Sequence, residues 1–259
     1  MDRPTPEILY RYRHLLDENR KRTERLLRAS VLYFASPEQF NDPFDCKIHY
    51  TSLGSLEQLR RKQQALYKKF IPELNRAERR HRAAHVIKQV DPAEFLNTIT
   101  EGLQRGVNRV GVLCLSEFPD AVVLWSHYAA GHVGLCLGFR VAADAAFFGR
   151  AQPVCYSAQY PSMDLQGDSP RRQVEAFILR KAQGWAYERE WRIVDHETGL
   201  GEKAFHPGAL CAIIFGARMT HSDKAFIREC IADRAESVSL YEAHPTKGSY
   251  ALAVERVDR

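Results

Sequence analysis

The stretch Trp185-Ala-Tyr-Glu-Arg-Glu-Trp-Arg-Ile-Val194 places two glutamates between aromatic residues, directly before an apolar run. We interpret residues 188–194 as a strand. Successive side chains of a strand alternate between its faces, so Glu188 and Glu190 are expected to point the same way. Two carboxylates on one face repel each other and lose hydration together, and such pairs are typical of sites that handle a sugar, a metal or a proton. The alternative is an exposed edge strand whose glutamates lie in water.

The composition is that of an ordinary globular protein. The 259 residues are 45% hydrophobic and 27% charged, which allows a substantial core. No apolar run approaches the ~20 residues of a membrane span, and the polar opening Met1-Asp-Arg-Pro-Thr-Pro6 does not resemble a signal peptide. We therefore expect a cytoplasmic protein without a membrane partner. The cysteines form no Cys-x-x-Cys pair, so neither a disulfide framework nor a structural zinc site is expected.

Positive charge is concentrated in one segment, residues 57–88. It contains ten Lys or Arg against three Glu, a balance of +7, whereas the whole chain carries +5. Leu59, Leu66, Phe70 and Leu74 recur at helical spacing within it. The pattern is typical of helices with a solvated charged face. The alternative is a surface that binds nucleic acid or an acidic partner.

The predicted elements are short strands mixed with helices. Strands are predicted at 8–13, 31–34, 109–115, 133–139, 153–156, 188–194, 210–215, 237–242 and 249–254, and helices at 17–30, 53–105, 121–130, 171–183 and 221–232. Because strands and helices do not alternate strictly, the pattern favours an α+β fold over a doubly wound sheet. We predict a single domain over residues 1–259, with a mixed or antiparallel sheet core, flanking helices and a basic helical insertion over residues 53–105.

Four polar boxes are spread along the chain. They are Leu9-Tyr-Arg-Tyr-Arg13, Tyr33-Phe-Ala-Ser-Pro-Glu-Gln-Phe-Asn-Asp-Pro-Phe-Asp45, Leu124-Trp-Ser-His-Tyr-Ala-Ala-Gly-His-Val-Gly134 and Lys181-Ala-Gln-Gly-Trp-Ala-Tyr-Glu-Arg-Glu-Trp-Arg192. In composition, spacing and order they resemble a bacterial family known as domain of unknown function number 2971. The resemblance covers nearly the whole chain. It implies a shared fold and a shared site, but it does not supply a reaction.

More remotely, an Arg on the first strand, a Ser at a strand end and a Glu-x-Glu strand are similar to ADP-ribosyltransferases of the arginine-serine-glutamate type. This resemblance implies that Arg11 or Arg13 binds the pyrophosphate of NAD and that Ser36 supports the nicotinamide end. It also implies that Glu190 stabilises an oxocarbenium-like transition state and that Glu188 orients the acceptor. Ser36 matches only the last position of that family's Ser-Thr-Ser triplet, and it lies earlier in the chain.

The boxes supply further candidate site residues. His127 and Lys181 are the candidate catalytic residues besides the two glutamates, and Asn41, Asp42, Tyr128 and Arg192 are candidates for binding the cofactor. Structural alternatives are that Arg192 neutralises the glutamates, that Lys181 ends a helix, and that Asn41 and Asp42 build their own turn. Dense polar groups are stable where they satisfy each other or a ligand, so we expect the four boxes to converge on one pocket.

Two other classes of function stay open. Asp42, Asp45, Glu188 and Glu190 could hold Mg²⁺ in a metal-dependent nuclease or phosphodiesterase, whereas the transferase hypothesis assigns no metal. The boxes could also form the pocket of a non-enzymatic ligand-sensing protein. From the bacterial setting of the family we expect a cytoplasmic effector of the toxin or phage-defence type that binds a nucleotide-type small molecule.

Overall fold

The structure, a computed structural model, describes residues 3–48, 56–89, 91–160 and 175–257. The chain divides into two compact units. The first consists of Met1–Phe40, Arg109–Tyr156 and Gln183–Arg259, and the second of Asn41–Asn108 and Ser157–Ala182. The helices of the predicted insertion fall in the second unit. The organisation of the whole chain as one domain stays a prediction.

Twelve strands are present in the described part of the chain. They are β1 (Ile8–Arg13), β2 (Val31–Phe34), β3 (Gly111–Ser116), β4 (Leu135–Arg140), β5 (Gln152–Pro153), β6 (Cys155–Ser157), β7 (Arg180–Ala182), β8 (Glu190–Asp195), β9 (Gly201–Ala204), β10 (Leu210–Phe215), β11 (Ser239–Pro245) and β12 (Leu252–Val257). Eight of them form one sheet in the order β12-β11-β10-β4-β1-β3-β8-β5. Its neighbours are antiparallel, apart from the parallel pair β10 and β11. This mixed sheet, together with its helices, confirms the predicted α+β fold.

The helices lie largely where the apolar periodicity predicts them. They are α1 (Glu18–Ala29), α2 (Leu56–Phe70), α3 (Arg76–Gln89), α4 (Pro92–Asn108), α5 (Val122–Tyr128), α6 (Ala145–Phe148), α7 (175–178) and α8 (His221–Ile231). Short 3-10 helices occupy Pro37–Gln39, Val141–Asp144, Gln183–Glu188 and Pro207–Ala209. No helix in the described ranges has the length and apolarity needed to cross a membrane.

Two predictions near the fourth polar box are wrong. Of the helix predicted over 171–183, residues 175–178 are helical, Arg180–Ala182 form strand β7, and residues 171–174 lie outside the described part. Lys181 is therefore a strand residue, and its side chain is buried while those of its two neighbours are exposed. The strand predicted to begin at residue 188 begins at Glu190, because the preceding 3-10 helix continues through Glu188.

The main sheet carries a different apolar cluster on each face. Leu9 and Trp191 belong to the larger cluster, together with residues of α1 and α8. Tyr12 belongs to the smaller cluster, together with Trp125 of α5. Since adjacent residues of a strand point to opposite faces, Glu190 and Arg192 lie on the face of the smaller cluster. Helix α5 therefore packs on the face of the sheet that carries these two charged side chains.

The loop between α5 and β4 passes close to the end of β1, and this gives a test of the packing. A Cβ atom at Gly134 would overlap the carbonyl oxygen of Arg13, so Gly134→Ala is expected to destabilise the fold by about 1–3 kcal/mol. Gly106→Ala on α4 is the control, because a Cβ there meets open space and alanine favours a helix by up to about 1 kcal/mol. Chemical denaturation followed by circular dichroism measures both. An unchanged midpoint for Gly134→Ala would contradict the close approach.

Candidate functional site

The two glutamates of the central stretch do not lie on one strand, which corrects the prediction from sequence. Glu188 ends a 3-10 helix, and Glu190 begins β8. Arg189, between them, has a left-handed backbone with φ of 47°. A non-glycine residue in this conformation is strained by roughly 1–2 kcal/mol, and such strain is often found at functional sites. The side chains of Glu188 and Glu190 are consequently directed by a kink and not by strand alternation.

Both sides of the kink are held by hydrogen bonds from neighbouring strands. The Ser116 hydroxyl donates to the carbonyl of Glu188 at 2.8 Å, and the backbone N–H of Glu190 donates to the Tyr156 hydroxyl at 2.8 Å. These contacts fix the backbone before and after Arg189. The positions of both carboxyl groups are therefore set by the packed sheet.

Glu190 forms a buried ion pair with Arg192. The guanidinium donates from Nε to Oε1 at 2.7 Å and from Nη2 to Oε2 at 2.9 Å, and the two residues are 4% and 0% exposed. The ring of Phe40 lies 5.3 Å from the guanidinium carbon. A bidentate pair of this kind balances the carboxylate charge where water cannot reach it. For Glu190, the structure thus agrees with the alternative that Arg192 neutralises a glutamate.

Glu188 has a different partner. Its Oε1 accepts a hydrogen bond of 2.6 Å from the hydroxyl of Tyr128, the last residue of α5, and the residue is 4% exposed. An O–H donor to a carboxylate at this distance makes a strong, charge-assisted hydrogen bond. The Tyr128 hydroxyl therefore helps to fix the position of this carboxylate.

An aromatic cluster surrounds this hydrogen bond, and we define it as His127, Tyr128, Trp185 and Tyr187. The His127 ring lies 6.0–6.2 Å from the other three rings, in edge-on contacts. Its Nδ1 is 3.3 Å from the Tyr187 hydroxyl. His127 and Tyr187 are exposed, while Tyr128 and Trp185 are partly buried. The cluster thus presents rings to solvent next to a buried carboxylate.

Glu117, directly after β3, contacts the kink residue Arg189, and it is not among the site residues predicted from the sequence. Its carboxylate accepts hydrogen bonds from the guanidinium of Arg3 at 2.7 Å, the guanidinium of Arg189 at 2.9 Å and the indole of Trp191 at 2.8 Å. The available signal was its place directly after the apolar run that forms β3. Tyr187 was also missed as a site residue, although it lies in the central stretch beside Glu188.

Arg11 and Arg13 lie on the other face of the sheet, which corrects the expectation that Arg13 shares a pocket with the glutamates. Arg13 pairs in register with Leu135 of the larger cluster, and its Nε donates to Thr23 of α1 at 3.0 Å. Burial, together with the charges of Arg11 and Arg22, lowers the pKa of the Arg13 guanidinium to about 9. Arg11 donates to the carbonyl of Cys114 at 3.4 Å. Strand alternation places Arg11 and Arg13 together, but away from Glu190.

Ser36 caps a short helix. Its hydroxyl accepts from the backbone N–H of Glu38 at 3.2 Å, and the Gln39 side chain accepts from the backbone N–H of Ser36 at 3.2 Å. This reciprocal pair is a capping box. The backbone of the preceding residue, Ala35, exchanges hydrogen bonds with Val112, which fixes Ser36 beside β3. The capping box gives the hydroxyl a local structural role.

Asn41, Asp42 and Lys181 belong to the second unit. Asp42 accepts the backbone N–H of Phe44 at 2.9 Å, so it builds the turn that its sequence predicts. Lys181 lies 3.7 Å from Asp45, and both residues are buried. The convergence of these residues with Glu188 stays a prediction. Among the described residues, no group of three or more His, Cys, Asp or Glu side chains is arranged to hold a metal ion.

Comparison with known proteins matches part of the chain to a family. The sequence model of a family described as "Protein of unknown function (DUF2971)" matches residues 124–193. The chain resembles this family. The DUF2971 match spans the third and fourth polar boxes, and hence the aromatic cluster, both glutamates and Arg192. No curated protein and no solved structure is significantly similar to the chain.

The buried pair gives the sharpest test of this geometry. Arg192→Met leaves the Glu190 carboxylate buried without its cation, and a loss of about 3–5 kcal/mol in unfolding free energy is expected. The double variant with Glu190→Leu should recover most of that loss, because neither charge of this pair remains buried. The control is Arg61→Met, which breaks an exposed pair of 2.6 Å with Glu57 and should change stability by less than about 0.5 kcal/mol. Equal effects of the two single substitutions would contradict the buried pair.

Proposed function

We propose that the chain is an ADP-ribosyltransferase-like enzyme that cleaves the bond between nicotinamide and ribose in NAD. The observation that carries this proposal is the buried carboxylate of Glu188, held by Tyr128 beside the exposed aromatic cluster. In the reaction, the bond from ribose C1′ to the nicotinamide nitrogen breaks, and nicotinamide leaves with the electron pair. An acceptor hydroxyl or amine then attacks C1′ and gives up a proton, for which His127 is the candidate base.

The proposal assigns stabilisation of the transition state to Glu188. Departure of nicotinamide leaves positive charge on the ribose ring, and a carboxylate stabilises that charge as in glycoside cleavage. A carboxylate shielded from water interacts more strongly with such a charge than one in bulk solvent. Glu190, expected from the resemblance to take this part, is instead occupied by Arg192 through both oxygens. Its proposed role is to hold β8 in place.

The aromatic cluster supports binding of a planar group. Trp185 and Tyr187 contact each other at 5.9 Å and both contact His127, so the three rings form a preformed surface. Nicotinamide or adenine can stack on such a surface. Because Arg11 and Arg13 lie on the other face of the sheet, the proposal gives the pyrophosphate to Arg189, whose side chain is 46% exposed and is positioned by Glu117.

The first test measures binding and turnover of NAD. NAD is expected to raise the melting temperature without a divalent cation, because a ligand of the native state stabilises it. The wild-type chain should release nicotinamide, detected by liquid chromatography. Glu188→Gln should lower that rate by roughly 10² or more while NAD still binds, since one electrostatic stabiliser is removed. The control Glu255→Gln changes an exposed glutamate and should leave the rate unchanged.

Other results would favour the alternatives. Stabilisation by Mg²⁺ but not by NAD would support a metal-dependent nuclease or phosphodiesterase. Stabilisation by NAD with no release of nicotinamide, even with acceptors from a cell extract, would support a ligand-sensing protein. Full activity in Glu188→Gln would exclude the assigned role of this carboxylate.

We further propose that this activity serves a bacterial effector of the toxin or phage-defence type. An enzyme that consumes NAD or modifies a host protein would slow growth when produced in a bacterium. Induced expression of the wild-type chain is therefore expected to lower both growth rate and cellular NAD, and Glu188→Gln, at equal protein level, should relieve both effects. Unimpaired growth with cellular NAD unchanged would contradict the effector proposal.

A further inference from the structure

A cavity of about 200 Å³ lies within the second unit. Its wall includes three aromatic residues, Phe44, Tyr160 and Phe177, of which Phe44 is 65% exposed and Tyr160 is 41% exposed. The Tyr160 hydroxyl donates to the carbonyl of Phe44 at 3.4 Å, which ties two of these residues together. The cavity therefore offers apolar ring surface that remains open to solvent.

The charged residues on the wall are all cationic. Lys47, Arg180 and Lys181 line the cavity, and no carboxylate residue does so among the described residues. Lys47 and Arg180 are exposed, and neither is ion-paired with a described residue. The wall thus combines ring surface with an excess of positive charge, which favours an anion over a cation or a neutral ligand.

A buried ion pair positions one of these cationic residues, Lys181. The Lys181 ammonium lies 3.7 Å from the Asp45 carboxylate, and the two side chains are 5% and 2% exposed. Asp45 also accepts from the thiol of Cys46, a wall residue with a left-handed backbone at φ 55°. The Lys181 ammonium is therefore held in place by the Asp45 carboxylate. Because this side chain is already ordered, ligand binding loses less conformational entropy.

We propose that this cavity binds a small molecule in which a planar ring carries an anionic group, a carboxylate or a phosphate. The ring contacts Phe44 and Tyr160, and the anion contacts Lys47, Arg180 and Lys181. The volume is below the roughly 300 Å³ at which pockets for drug-sized ligands begin, so the ligand is a one- or two-ring acid and not a whole dinucleotide. The cavity belongs to the second unit, and this proposal does not depend on the function proposed for the residues of the first unit.

The test is isothermal titration calorimetry of the full chain with four probes. 1-Naphthoate and 1-naphthyl phosphate join the same ring system to different anions, so their relative affinities distinguish a carboxylate from a phosphate. 1-Naphthalenemethanol supplies a ring without charge, and inorganic phosphate supplies an anion without a ring. At least one of the first two probes is expected to bind more tightly than both of the others. Equal or absent binding of all four would overturn the proposal.

Paired substitutions locate the site. Arg180→Ala should weaken binding of the charged ring probe by about tenfold, because one charge-assisted contact is lost. The control Arg82→Ala removes an exposed cation of α3 and should leave the affinity unchanged. Phe44→Ala should weaken the same probe, while Phe70→Ala removes an aromatic residue that is 70% exposed and should not. These targets are exposed side chains, so the variants are expected to fold. Wild-type affinity in both Arg180→Ala and Phe44→Ala would exclude this cavity.

Discussion

The bidentate contact between Glu190 and Arg192 is the interaction on which the site of the first unit depends. Arg192 is fully buried, and its charge is stable in that position because the Glu190 carboxylate accepts two of its N–H groups. The pair starts β8 and orients a strand that is buried along its whole length. Directly before β8, the chain turns sharply at Arg189. On the other side of this turn, the carboxylate of Glu188 accepts a hydrogen bond from Tyr128.

Two glutamates two residues apart thus have different chemistry. The Glu190 carboxylate pairs with the Arg192 guanidinium, and the Glu188 carboxylate accepts a hydrogen bond from the Tyr128 hydroxyl beside exposed rings. The difference arises from the left-handed residue between them, since a continuous strand would have placed both carboxylates in the same surroundings. Glu117 stabilises that residue by binding its guanidinium and, on the same carboxylate, the indole of Trp191. Backbone strain at the kink is offset by charge-assisted contacts that only this local geometry makes possible.

Sequence patterns predicted the elements well where periodicity alone determines them. The strands Ile8–Arg13, Val31–Phe34 and Leu210–Phe215 have the predicted bounds, because each is a short apolar or alternating run with clear ends. The kink at Arg189 could not be predicted, since arginine carries no preference for a left-handed backbone as glycine or asparagine does. The prediction that the helix over 171–183 continues past residue 178 was wrong for a related reason. The Lys181 ammonium lies 3.7 Å from Asp45, and helix propensity does not report a contact across 136 positions in the chain.

Sequence patterns also could not predict which face of the main sheet each candidate site residue occupies. Strand alternation correctly predicts that Arg11 and Arg13 lie on the same face of β1. It does not predict which residues of the other strands lie on that face. That requires the register, in which Arg13 lies opposite Leu135 and Ser116 lies opposite Glu190. A one-residue shift of β1 would have placed its arginines on the same face of the sheet as Glu190 and Arg192. The observed register keeps Arg11 and Arg13 on the other face of the sheet, away from the hydrogen bond between Tyr128 and Glu188.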